Sequence, residues 1–109
     1  MANKVYFFRT RRGSCPVKEF IEKQDRKSYT KIIRYIELLE EYGSYLKPPY
    51  IKKLQDKLFE LRITGTTSIR IIHTVMNNGY YLLHGFIKKS QETPSRELKT
   101  ALDRSREII

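Results

Sequence analysis

One cysteine, two histidines and no tryptophan are spread over 109 residues. Cys15 alone cannot form an internal disulfide, which suits a reducing compartment. A single Cys and two His without close ligand spacing make no zinc signature, so no metal is expected. Gly13, Gly43, Gly65, Gly79 and Gly85 stand apart from one another, so there is no Gly-rich phosphate loop. Nor does any motif mark a Ser-His-Asp triad. No apolar run approaches the roughly 18 residues of a membrane-spanning helix. Val5 to Phe8 is only strand length, too short for the apolar core of a signal peptide. Repeats, low-complexity tracts and internal linkers are missing too. The expectation is a single domain over residues 1–109, cytoplasmic, with no cofactor and no membrane partner.

Acidic residues are also scarce: 12 Asp and Glu face 22 Lys and Arg, a net charge of +10. On so small a domain this points to a polyanion: nucleic acid, an anionic membrane surface or an acidic protein. With 39% hydrophobic and 31% charged residues the chain is globular rather than disordered.

Lys4 to Arg9 is β-rich and predicts a first strand, followed by a turn carrying Arg11 and Arg12. Pro16 suits the first position of a short helix with Val17, Phe20 and Ile21 on one side. Asp25 predicts the N-cap of a second helix. Tyr29, Ile32, Ile33, Ile36 and Leu39 form its apolar stripe, and Gly43 ends it. The two helices are expected to pair as a hairpin against the sheet. Ser44 to Lys57 is expected to be irregular, because Pro48 and Pro49 forbid helix and central strand alike. Lys52, Lys53 and Lys57 make it basic.

Leu58 to Ile63 and Ser68 to Val75 alternate as strands, and Asn77-Asn78-Gly79 is a hairpin turn into a third, Tyr80 to Lys88. Thr93 is expected to cap a last helix with Pro94 at its first position and Leu98, Ala101, Leu102 and Ile109 as its apolar stripe. The order is β-α-α-β-β-β-α: an α+β domain of two layers, an antiparallel sheet packed on an α-hairpin.

Alternation places Glu60, Arg62 and Arg70 together on the face away from the hairpin. One of Lys88 and Lys89 should join them. An arginine fork donates two parallel hydrogen bonds to a phosphate. Two such groups could stabilise the extra charge of a pentacoordinate transition state. Metal-free RNA cleavage needs little more: a 2′-OH held in line, a base and an acid. Proton-transfer candidates are Glu60, His84, Lys88, Lys89, Tyr80 and Tyr81. The plainer roles stand beside these. Arg62 and Arg70 could be solvated or simply pair with Glu60, His84 and His73 could be core residues, and the tyrosines could be strand packing. Lys52, Lys53, Lys57, Lys88, Arg11 and Arg12 would draw RNA toward the site.

The segments PYIKKLQDKLFELR, SIRIIHTV and YYLLHGFIKKSQETPSREL resemble the HigB-type toxins of the RelE superfamily, in their phage-associated branch. The resemblance runs over nearly the whole chain. It implies a RelE-like fold and a type II toxin that cuts mRNA in the ribosomal A site, without metal, through the 2′-OH. It also implies a helix-turn-helix antitoxin (HigA-like) as partner. Residue by residue, Arg62, Arg70 and Lys89 fall on the family's catalytic basic positions, with Lys88 adjacent. Glu60 stands where some relatives place a lysine, and the superfamily's C-terminal tyrosine has no counterpart after Tyr81. His84, Lys89 or the ribosome's own RNA would then have to move protons. Without an acid–base pair, the same surface would make a non-catalytic RNA- or ribosome-binding inhibitor of translation. A structural phage protein or acidic-protein adaptor would tolerate loss of both arginines.

Overall fold

The computed structural model describes residues 3–77 and 79–108. The elements are β1 (Lys4–Phe7), α1 (Pro16–Glu22), α2 (Arg26–Tyr42), a 3-10 turn (Gly43–Tyr45), β2 (Ile51–Lys53), β3 (Leu58–Ile63), β4 (Ile69–Met76), β5 (Gly79–Ile87) and α3 (Ser95–Ser105). The α+β class is the expected one. Pro16 opens α1. The Asp25 carboxylate accepts a 2.7 Å bond from the Ser28 N–H at the head of α2, a bond that also holds this carboxyl below its usual pKa. Gly43 closes α2 with a φ of 54° that only glycine adopts freely. Two predicted positions, Asn78 of the turn and Ile109 of the last stripe, lie outside the described residues.

The sheet runs β1-β5-β4-β3-β2. Strands β3, β4 and β5 form the expected antiparallel meander. Three features depart from expectation. Ile51–Lys53, inside the segment read as irregular, is an edge strand antiparallel to β3. The prolines end just before it, and an edge strand needs partners on one side only. β1 pairs parallel with β5, so the sheet is mixed rather than antiparallel. No hairpin turn joins those two strands, and a parallel neighbour needs only a long connection, which the intervening chain supplies. Finally, the helices do not all share one face. Val17, Ile21, Ile32, Ile36 and Leu39 of α1 and α2 bury Leu61, Ile63, Ile69, Ile71 and Leu82 on one side. On the other, α3 brings Ala101, Leu98 and Leu102, with Ile108 after it, over Phe8, Leu58, Ile72, Leu83 and Phe86. Those second-face residues are apolar and would otherwise meet water, which explains why the last helix crosses to them.

The β4–β5 register slips between Ile72 and His73: Ile72 faces His84, whereas His73 faces Leu82. Leu83 is the extra residue of a bulge, and a bulge resets which side each later residue faces. Strict alternation from Leu82 would send His84 and Phe86 toward α1 and α2. With the bulge they turn to the α3 side, opposite Ile72 and Arg70, and Gly85 turns toward α1. A Cβ on Gly85 would sit 2.6 Å from the Phe20 ring, so glycine is required by that close approach.

His73 is a core residue, 1% exposed. Its ring stacks on Phe59 at 5.7 Å. Burial pushes it down from 6.5 to about 4, only partly opposed by the Ile71 backbone. Between those values the unfolded chain binds a proton that the folded chain refuses. The stability contribution is therefore complete above the unfolded value and is lost as pH falls toward the folded one. Urea unfolding should show stability dropping by about 3 kcal/mol from pH 7 to pH 4 through this residue. His73→Phe should flatten that slope; an unchanged slope would mean that His73 is not what titrates.

Candidate functional site

Arg62 on β3 and Arg70 on β4 are directly paired across the ladder. Like charges in that position repel. Glu60, two residues before Arg62 and therefore on the same face, answers the repulsion. Its Oε1 lies 3.6 Å from Arg70 Nε and 4.0 Å from Arg62 Nε. Its Oε2 accepts a 2.6 Å bond from the Thr93 hydroxyl. Glu60 is fully buried and Arg70 nearly so, at 0% and 5% exposure, while the Arg62 side chain is one-third open. Arg70 Nη1 also donates to the Ile69 carbonyl at 3.0 Å. The Arg70 Nε and Glu60 Oε1 atoms attract one another but make no hydrogen bond among the described residues. Burial pulls the Arg70 pKa down, with Glu60 pulling it back up.

Two lysines complete the cluster. Lys52 on β2 pairs across from Glu60, which puts it on this face; Lys53 pairs with Phe59 and faces the other way. Lys88 follows β5 and is held by its N–H to the Ser68 carbonyl at 2.8 Å. Its pKa is lowered first by burial and then by the charges of Arg70, Arg62 and Lys52, against an opposing pull from Glu60. Four cations thus surround one carboxylate. Arg70, Lys88 and the exposed Lys89, with Ser68, Ser90 and Gln91, line an open cleft of about 410 Å³. A cleft rimmed by cations and hydroxyls suits a tetrahedral oxyanion.

The other predicted residues have different surroundings. His84 lies under α3. Its Nε2 is 2.7 Å from Glu97 Oε1, its Nδ1 is 3.4 Å from Arg104 Nη1, and its ring stacks on Phe86 at 5.6 Å. Arg104 also donates to the Leu83 carbonyl at 2.8 Å, so this group clamps α3 to β5. Tyr80 is buried in the core beneath α1 and α2, and Tyr81 stacks on Tyr6 at 5.0 Å. Lys57 is exposed in the turn before β3, with its carbonyl bonded by Thr74. Arg11 and Arg12 are exposed beyond β1, at the sheet edge opposite Lys52. Thr93 is the residue that sequence reasoning missed. Pro94 is the N-cap and Ser95 the first residue of α3, so the Thr93 hydroxyl is free to hold Glu60 instead of capping.

Residues 19–106 match the family model described as phage derived protein Gp49-like (DUF891). No curated protein matches the chain.

Removing Glu60 leaves two facing guanidinium groups with no counter-charge, one of them buried. Glu60→Ala should lower stability by about 3 kcal/mol in urea unfolding. Arg62→Ala, at the open end, should cost no more than about 1 kcal/mol. Equal losses would show that Glu60 is not the anchor.

Proposed function

The chain belongs to the Gp49-like family of phage-derived proteins, relatives of the RelE-type toxins, and from that premise we propose that it is the toxin of a type II toxin–antitoxin pair. On this reading it is a HigB-type endoribonuclease that engages mRNA in the ribosomal A site and is held inactive by a helix-turn-helix antitoxin. The observation that carries the reading is the cation cluster of Lys52, Arg62, Arg70 and Lys88 on one sheet face.

In that scheme Arg70, with its rotamer set by Glu60 and the Ile69 carbonyl, donates to the non-bridging oxygens of the scissile phosphate. Arg62 reaches the same group from the open end. The 2′-oxygen forms a bond to phosphorus as the phosphorus–5′-oxygen bond breaks, giving a 2′,3′-cyclic phosphate and a 5′-hydroxyl. One proton leaves the 2′-OH and one reaches the 5′-oxygen. Arginines stay charged and cannot make either transfer. Lys88, pushed below its ordinary pKa beside the phosphate cleft, is suited to carry one of them. No bond forms to the protein, so electrostatic stabilisation dominates.

One observation favours a second reading. Glu60 and His84, the carboxylate and imidazole candidates, are already engaged by Thr93, Glu97 and the arginines. A face so arranged could bind RNA or the ribosome and block translation without cutting.

Induced expression should halt growth and translation and leave new 5′ ends within codons of translated mRNAs, mapped by primer extension. Arg70→Ala should lower cleavage by about 100-fold and restore growth. Arrested translation with intact mRNA would replace the nuclease by the binder.

A further inference from the structure

A second cleft, of about 530 Å³, adjoins the phosphate cleft, and Lys89 and Ser90 line both. It lies where β5 runs past the end of β1. The parallel pairing stops at Phe7 and Leu82, so β5 from Leu83 onward has no strand on its outer edge among the described residues. α1 closes this edge from one side with Phe20, and the start of α3 closes it from the other with Arg96 and Glu97. The bulge brings Phe86 round to the same cleft. Gly85, having no side chain, lets Phe20 lie against the strand.

The walls differ in kind from those of the phosphate cleft. Phe20, Phe86 and Ile87 supply aromatic and aliphatic surface, which a phosphate cannot use. Glu97 would repel a phosphate outright. Its Oε1 is held by His84, but its Oε2 has only a loose 3.8 Å approach to Arg96 Nε. Arg96 is 84% exposed and can swing. The cleft therefore presents apolar contacts, a carboxylate oxygen with no close partner among the described residues and a mobile guanidinium. Those are the requirements of an unpaired base: a π-face to cover, donors for a carboxylate and acceptors for an arginine.

We infer that this cleft is a nucleobase subsite for the nucleotide flanking the phosphate held at Arg70 and Lys88. The assignment rests on the reading of that cation face as an RNA phosphate site. It gives the protein a means of sensing base identity beside the cut, with Arg96 and Glu97 as the groups that touch the base edge.

Calorimetric titration of the purified chain would use the four nucleoside 3′- and 5′-monophosphates, with ribose 5-phosphate and inorganic phosphate as references. At least one nucleotide should bind about tenfold or more tightly than ribose 5-phosphate, the gain expected from the Arg96 and Glu97 contacts to the base edge. Arg96→Gln, an exposed change that leaves the fold alone, should abolish that gap. Arg70→Ala should weaken nucleotides and ribose 5-phosphate alike and leave the gap in place. Ribose 5-phosphate binding as well as every nucleotide, or a gap that survives Arg96→Gln, overturns the subsite. Its failure is separate from that of the nuclease reading. Cleavage of mRNA without base-dependent binding removes the subsite alone, and base-dependent binding without cleavage removes the nuclease alone.

Discussion

A carboxylate buried between two arginines governs this molecule. Arg62 and Arg70 face one another across adjacent strands, an arrangement that is unfavourable by itself. Glu60 makes it tenable by placing one oxygen within 4.0 Å of both guanidinium groups. Burying that carboxylate costs desolvation energy, and the Thr93 hydroxyl at 2.6 Å offsets part of it. The result is a pair of arginines with restricted freedom on a rigid sheet. Preorganised charge of this kind needs little rearrangement when an anion arrives. The same bond ties the root of α3 to the cation face, so helix docking and arginine placement are physically linked.

The bulge in β5 is the second constraint. One extra residue, Leu83, turns His84 and Phe86 from the α1–α2 side of the sheet to the α3 side. His84 then meets Glu97 and Arg104, which hold α3 down. Phe86 comes to lie opposite Arg70, and Lys88 joins the field of Arg62, Arg70 and Lys52. A regular strand would have buried this basic position under α1 or left it at the far surface. The bulge thus adds Lys88 to the cation cluster and brings Phe86 to the aromatic cleft next to it.

Around this local order lies a net charge of +10. Such a field draws a polyanion from a distance that depends on salt, whereas the arginine geometry acts only on contact. Cations far from the cluster, such as Lys57 and the Arg11–Arg12 pair, belong to the first effect. Lys52, Arg62, Arg70 and Lys88 are placed for the second.

The α+β class, the three-stranded meander, both helix starts near Pro16 and Asp25 and the stop at Gly43 were legible from the residues alone. Those are local matters: periodicity, capping oxygens and glycine dihedrals act within a few residues. The neighbourhood of Arg62 and Arg70 was legible too, because two short-looped antiparallel strands leave few registers. Tertiary structure alone decided that β1 runs parallel to β5, that Ile51–Lys53 forms an edge, that α3 covers the second face and that Thr93 turns to Glu60. Each depends on segments far apart in sequence finding a common surface, and no local pattern encodes that. The bulge belongs with them. Alternation predicts a side for every residue of a strand, yet packing against α1 and α3 chose where the alternation breaks.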